Sequence, residues 1–421
     1  MTQTIIRARD DHTVSRADID PDALKVLYRL KQHGFAAYLV GGGVRDLLLG
    51  RKPKDFDIGT DAHPRQIKKL FRNCFLIGRR FRLAHIRFGE KIIETSTFRR
   101  EPEPHEEELR EGGLYRRRDN TFGTPEEDAR RRDFTINGLF YDIKTFEVID
   151  HVSGLKDIDA GVVRSIGDPD VRLREDPVRM LRAVRFASRL SFNIERGTYA
   201  AIRRHRAEIT EAPQPRLLEE VRRLFTFRSG LPAFRMLNRT GLLGVMFPTI
   251  SDFLKKRGGS CRKRFWRYLG ALDACGLEDE EAPSLEVIFS TLVYPLYHEA
   301  LQRAGDGGPS HDEVARQVLQ PLAEAFGLPR KVFYNVIHVL VEQRRFQSSG
   351  RRFSKARFVQ RPEFPDMLML RMIHLTATDA GVESLESWRR LYQQNRGKGP
   401  PPRTRDRGGQ RKRRPRRRRR S

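Results

Sequence analysis

The 421-residue chain reads as α+β: an N-terminal mixed-sheet head, then an all-α region, then a disordered basic tail. Three observations predict this. Between Ala36 and Gly59 a short apolar run enters three glycines, passes through a helix-like segment and returns to alternation, as a strand–helix–strand unit does;. From Val162 onward the apolar period is helical almost throughout, interrupted by Pro and Gly. From Arg396 the chain carries 14 Lys/Arg against one acid, Asp406, and cannot bury a core;. A chain this long should divide into about two or three domains. The expected units are a polar extension (1–20), the head (21–160), a helical neck (161–250), a helical body (251–395) and the Arg-rich tail (396–421). Two helical subdomains are expected to meet near residues 251–262.

The elements follow in order. Asp20 and Pro21 read as the N-cap and first position of a helix reaching Gly34, with Leu24, Leu27 and Tyr28 spaced for one face. Strands are expected over Ala36–Val40 and Phe56–Gly59, and helices near Val44–Leu49 and Pro64–Phe71. Shorter β-like runs at Ala84–Phe88, Lys91–Thr95, Leu139–Asp142 and Phe146–Asp150 complete the sheet. Residues 99–120, acidic then basic and nearly free of aliphatics, read as a mobile surface loop. Glu175-Asp176-Pro177 opens an amphipathic helix, with Asp176 as N-cap. Its apolar stripe is Met180, Leu181, Val184 and Ala187, and Arg179, Arg182, Arg185 and Arg189 recur beside it.

Composition narrows the class. The 82 Lys+Arg against 55 Asp+Glu leave a net charge of +27, which favours a polyanionic partner;. Three cysteines (Cys74, Cys261, Cys275), without CxxC spacing, point to a reduced compartment and no zinc site;. The first residues lack the apolar core of a leader, and no apolar run approaches the ~20 residues of a membrane span. A cytoplasmic protein is expected.

The chemistry concentrates in residues 39–59, LVGGGVRDLLLGRKPKDFDIG. On a strand, Asp55 and Asp57 share one face while Phe56 turns to the core. Paired carboxylates bind Mg²⁺ through oxygen, and glycine N–H groups at a helix start hold phosphate. Gly41, Gly42 and Gly43 with Arg45 should cradle a triphosphate. A cation on a helix's first turn opposes the helix dipole, and a facing phosphate would remove that conflict. The plainer alternative is a tight turn followed by two solvated loop acids.

This spacing resembles the nucleotidyltransferase superfamily that includes DNA polymerase β, and within it the bacterial poly(A) polymerase and CCA-adding family. Three further stretches carry the resemblance: residues 76–86 (LIGRRFRLAHI) followed by Ile92-Ile93-Glu94, residues 126–137 (EEDARRRDFTIN) and residues 175–186 (EDPVRMLRAVRF). It is dense from Tyr38 to Leu190 and thins beyond. Residues 78–85 (GRRFRLAH) look like the poly(A) polymerase signature, which CCA-adding relatives usually lack. The resemblance implies that Glu94 joins Asp55 and Asp57 at the metal, and that Asp133 belongs to the active-site acids. It places Arg132 and Asn137 near the nucleotide, Asp176 and Arg179 on the base edge, and Arg182 one turn deeper. Asp133 could instead cap a helix starting at Phe134. A carboxylate at Asp176 that caps its helix has fewer lone pairs free for a base. His85 reads as a packed residue with no catalytic role, and Arg79, Arg80 and Arg82 as able to reach nucleotide or RNA.

Basic residues interleaved with aromatics suggest RNA surface at Lys255, Lys256, Arg262, Lys263 and Arg264 with Phe265 and Trp266, and again over residues 351–358. Those aromatics could equally be core. The implied activity is template-independent addition of AMP from ATP to RNA 3′-hydroxyl ends, with Mg²⁺ or Mn²⁺ as cofactor. Its implied setting is a monomer whose tails promote RNA decay beside decay proteins. The alternatives are a tRNA CCA-adding (or C- or A-adding) enzyme, and an inactive fold used as an RNA-binding module.

Overall fold

The computed structural model describes residues 3–78, 83–101, 121–256, 259–276, 281–305, 307–348 and 353–396. The expectations for Arg79, Arg80 and Arg82, for most of the 99–120 loop, for Arg351-Arg352 and for the tail lie outside these residues. Among them, eight strands form one mixed sheet: β1 (Ile5–Arg7), β2 (Ala37–Val40), β3 (Asp57–Thr60), β4 (Cys74–Ile77), β5 (Leu83–Phe88), β6 (Lys91–Thr97), β7 (Leu139–Tyr141) and β8 (Val148–Asp150). Their order is β1-β8-β7-β2-β3-β6-β5-β4. The β3–β6 pair is parallel and the other neighbours are antiparallel.

Local chemistry explains the elements that were legible. Asp20 accepts from the Asp22 and Ala23 N–H groups at 2.8 and 3.4 Å, and Pro21 starts the helix Pro21–Gln32. That helix buries Ala23, Val26, Leu27 and Leu30, one stripe at helical spacing, and leaves Tyr28 exposed;. Two strands carry no sequence signal. Ile5–Arg7 extends the sheet beside β8 from within the polar N-terminal stretch. Cys74–Ile77 forms the opposite edge on β5. Both are too short to show alternation, and each gains its backbone partners only from the sheet.

Beyond a short parallel pair, Val162–Val163 with Asn193–Ile194, the described residues are helical. Most of the buried apolar residues form one cluster from Val14 in the head to Trp388 in the last helix, and a smaller one joins Val40, Phe98, Ala129, Phe140, Val152 and Ile166. Head and helical region therefore share a core, and helix Val178–Leu190 faces Asp57 and Glu94 across a cleft.

Candidate active site

The floor of the site is built on β3. Gly41 takes φ +71°, and a Cβ there would lie 2.7 Å from Arg132 Nη1, so this turn requires glycine;. A Cβ on Gly43 would already touch the Asp55 carbonyl at 3.4 Å. The turn leads into helix Gly42–Leu48. Asp55 is exposed, Phe56 is buried, and Asp57 begins β3. Burial raises the Asp57 pKa to about 6, with Glu94 and Asp55 adding repulsion and Arg132 opposing it;. Glu94 lies on β6 beside Thr95, the partner of Ile58.

Glu94 is the third acid that the resemblance places at the metal. Glu94 faces Asp57 electrostatically, but its carboxylate is half exposed and lies 3.4 Å from His85 Nε2. Among the described residues, no three His, Cys, Asp or Glu side chains converge closely enough to hold a metal. The pair Asp55 and Asp57 still suits a hard divalent cation. Both donors are carboxylate oxygens, and burial together with the nearby Glu94 charge disfavours the ionised form of Asp57, which a bound cation would favour;.

The opposite wall is arginine-rich and internally neutralised. Asp133 accepts from Phe134 N–H (2.8 Å) and Asn137 Nδ2 (3.0 Å), and from Arg182 Nε and Nη2 (2.7 and 2.6 Å). Burial alone would raise its pKa, yet the Arg182 guanidinium and these hydrogen bonds hold it near 2. Asp133 caps no α-helix; the segment Thr135–Asn137 is a single 3₁₀ turn. Asp128, also buried, grips Arg131 and Arg132, and Glu220 meets Arg182 and Arg185. Phe186 lies beneath three guanidiniums, those of Arg45, Arg182 and Arg185, at 5.0, 5.4 and 4.4 Å from its ring centre;.

Two further expectations change. Arg45 is buried, and its charge is met within the protein by Asp46 Oδ1 (2.7 Å) and Asn137 Oδ1 (2.5 Å), so no phosphate is needed to resolve its conflict with the helix dipole. Asp176 is not an N-cap. Asp168 and Pro169 already start a helix over Pro169–Glu175, so Asp176 falls in the turn before Val178–Leu190. Its carboxylate receives both Nη atoms of Arg216 at 3.1 and 2.8 Å.

Between floor and wall runs a cleft of about 670 Å³. Gly42, Arg45, Asp57, Glu94, Arg132, Asp133, Asn137, Asp176, Arg179 and Arg182 all line it. A second cleft of about 500 Å³ contains Gly43, Lys54, Asp55, Arg189 and Arg222, and shares Gly42, Arg45, Asp57, Arg185 and Arg223 with the first. The site thus joins residues expected together from the sequence with several that were missed. Arg185 and Arg189 were visible as part of the basic stripe. Asp46, Glu220, Arg216 and Arg223 gave no signal, because their meaning lies in partners far along the chain.

The expected RNA residues do not join this site. Lys255 pairs with Asp252, and Lys256 with Glu299 at 2.6 Å. Arg262 Nε donates to the Leu254 carbonyl, while Lys263 and Arg264 line a separate cleft. The neighbouring aromatics belong to the core: helix Ser260–Cys275 buries Phe265, Tyr268, Leu269 and Leu272, a spacing that faces one side;. Phe358, in the second basic–aromatic stretch, is likewise buried against Trp388.

Comparison with known proteins agrees with this architecture. Residues 37–164 match the family profile "Poly A polymerase head domain", and residues 191–254 match "Probable RNA and SrmB- binding site of polymerase A". Poly(A) polymerase I of Escherichia coli O6:H1 is 42% identical over 342 residues, 78% of this chain and 73% of the relative. A CC-adding tRNA nucleotidyltransferase of Halalkalibacterium halodurans is 31% identical over 66% of this chain and 70% of its own. The Bacillus stearothermophilus CCA-adding enzyme, solved with CTP, superposes with a TM-score of 0.65 at 25% identity, covering 89% of this chain and 83% of that one. The chain belongs to the poly(A) polymerase family of nucleotidyltransferases, template-independent polynucleotide adenylyltransferases that use ATP and a divalent metal.

Proposed function

We propose that this chain adds AMP from ATP to RNA 3′ ends with Asp55 and Asp57 holding Mg²⁺, or Mn²⁺ in its place. The observation that carries the assignment is the pair Asp55 and Asp57 beside a wall whose acids, Asp128, Asp133, Asp176 and Glu220, each meet an arginine. When bound, the cation supplies charge stabilisation to the phosphoryl oxygens. Gly42 and Gly43 allow close approach of the triphosphate, with Arg132 and Arg45 behind them. Asp176 and Arg179 lie where a base edge would meet the cleft wall, and Arg182 reaches the same space under the control of Asp133. The 3′-oxygen attacks the α-phosphorus, pyrophosphate leaves, and the hydroxyl proton passes toward the carboxylate floor. Asp133, with a pKa near 2, is too weak a base for that proton and acts as a positioning residue for Arg182;.

The surrounding biology is part of the same proposal: a cytoplasmic monomer whose tails expose RNA to 3′ exonucleases in company with decay proteins. The three thiols, Cys74, Cys261 and Cys275, are all unpaired, as a reducing compartment requires;. Among the described residues no helix is long and apolar enough to cross a membrane. Support for RNA contact through Lys255, Lys256, Arg262, Lys263 and Arg264 rests on charge alone. A CCA- or CC-adding activity is the second reading, favoured by the fold likeness to enzymes of that name. The test is incubation with Mg²⁺, each labelled NTP separately, and either a generic RNA or a tRNA lacking its terminus. Long addition from ATP on generic RNA supports adenylation; synthesis that stops at CC or CCA on tRNA replaces it. Failure to incorporate any nucleotide on either RNA would leave the binding-module reading.

A further inference from the structure

On the wing of the sheet formed by β4, β5 and β6 one face is closed and the other open, whereas over β2 and β3 the face of Asp57 is covered by Val40, Phe98 and Phe140. In β4, β5 and β6, Cys74, Ala84, Ile86 and Ile93 are buried on the side that meets helix Pro64–Leu70. The register places Phe75 opposite His85 and His85 opposite Glu94, with Ile77 opposite Leu83 and Arg87 opposite Ile92. These residues share the other face, because directly paired residues and i, i+2 neighbours point the same way. On it Phe75, Ile77 and Ile92 are 55%, 50% and 47% exposed, and the Lys68 ammonium reaches round the edge strand to stand 5.2 Å from the Phe75 ring centre. Asp57 precedes Ile58, whose partner Thr95 follows Glu94, so the acid floor lies on this same face. Leu83, Glu94 and Ser96 line the nucleotide cleft itself. With strands about 4.8 Å apart, Phe75 stands roughly 10 Å from Glu94 across the sheet.

We propose that this open face of β4–β6 is the track that holds the last few nucleotides of the RNA, with bases against Phe75, Ile77 and Ile92. The proposal rests on the reading of the chain as an RNA-extending enzyme and names where the acceptor strand lies. Large apolar side chains left open on the wing of a sheet invite association unless a ligand covers them. The occupant must be compatible with turnover. A protein seated here would cover the mouth of the cleft, whereas a single strand would deliver its 3′-hydroxyl to Asp57. An aromatic and aliphatic surface suits the faces of unpaired bases without selecting sequence, which template-independent extension requires. Arg87, exposed on the same face beside Ile92, supplies a cation for the phosphates.

The test uses the full chain. A short single-stranded RNA carrying one photoactivatable uridine near its 3′ end is cross-linked without ATP, and the adducts are mapped. Adducts on Phe75 or its strand neighbours are expected when the probe lies a few nucleotides from the end. In kinetic assays, Phe75→Ala should raise KM for RNA about tenfold, the loss of one stacked base, with kcat at saturating RNA and KM for ATP unchanged. Phe75→Trp should restore it, which a merely structural role would not explain. Adducts confined to the helical region, with KM for RNA unmoved in Phe75→Ala and in Ile92→Ser, would overturn the proposal. So would sedimentation showing that this face joins two copies of the chain. A wild-type chain that extends no RNA would defeat the adenylation reading instead, and the cross-linking would still report on this face.

Discussion

Two acids in one cleft behave in opposite ways. Asp57, on the sheet floor, is pushed up to about 6 by burial and by its neighbours Glu94 and Asp55. Asp133, on the helical wall, is held near 2 despite its burial, because Arg182, Asn137 and the Phe134 N–H all favour its charged form. The same division runs through the site. Asp128 and Glu220 on the wall each meet arginines, while Asp57, Glu94 and Asp55 face one another. Paired acids fix arginines in place. Unpaired acids store repulsion that a cation would relieve, so the difference separates the residues that hold the ligand's geometry from those that hold the metal.

The largest effect should come from the floor. Asp57→Asn or Asp55→Ala should lower AMP incorporation about a thousandfold or more, since it removes the seat of the dominant charge stabilisation. RNA affinity by filter binding should stay near wild type. Normal incorporation in both variants would erase the contrast between floor and wall.

The wall should respond in stability first. Asp133→Asn leaves Arg182 with only Glu220, at 3.5 Å, in a mostly buried place, and breaking the closer pair should destabilise by about 3 kcal/mol;. Thermal or urea unfolding checks this, and KM for ATP should rise as Arg182 loses its orientation. A double variant with Arg182→Leu should recover part of the lost stability, because removing both partners avoids a lone buried charge.

Titration should show the two acids with opposite signs. Asp133 has a folded pKa below its usual 3.8, so its contribution is fully present above about pH 4 and is lost as pH falls toward 2;. Asp57 has a folded pKa above 3.8, so its ionisation costs stability as pH rises from about 4 to 6;. Each contribution is on the order of 2–3 kcal/mol. Mg²⁺ should therefore raise the melting temperature more at pH 7 than at pH 5, and Asp57→Asn should lose that gain. An equal Mg²⁺ effect at both pH values, or one that survives in Asp57→Asn, would place the cation elsewhere.

The smallest effect on chemistry should come from deleting residues 396–421. That stretch carries 14 basic residues and one acid, a net of +13. Each phosphate contact contributes about 0.7 to the log–log salt slope for single strands, so losing four would lower it by roughly 3. Single-nucleotide addition at saturating RNA should be spared. An unchanged slope, with equal activity at limiting RNA, would assign the tail to another role.

Much of the floor was legible because its chemistry is local. The Asp55-Phe56-Asp57 alternation put Phe56 in the core, although β3 takes up only Asp57 and leaves Asp55 in the loop before it; Gly41 marks a turn with positive φ, and Asp20-Pro21 caps and starts a helix through bonds within three residues. The wall was half legible. The arginine stripe of Val178–Leu190 could be counted, but a repeat of cations looks the same whether it faces solvent or a buried acid. Asp176 misled because Asp-Pro is an ordinary helix start, and Asp168-Pro169 had used that signal eight residues earlier. The basic–aromatic stretch at 262–267 left two readings open, RNA surface or core, for a related reason. Phe265 and Tyr268 obey helical spacing, which says that they share a face but not that the face is inside.

What the sequence determined by itself was therefore the set of interactions that close within a few residues: caps, turns, strand alternation, the acid pair and the net charge of the tail. Only the tertiary structure decided which charges meet. Arg45 finds Asn137 across 92 positions, Arg182 finds Asp133 across 49, and Asp176 finds Arg216 across 40. It also decided that the face bearing Phe75 and Ile92 stays open while its reverse is covered by Pro64–Leu70. The reason is physical. A backbone turn or a cap depends on bonds a residue makes with its neighbours in the chain, whereas a side chain's charge state and exposure depend on the sum of burial and field at a point that many distant segments share.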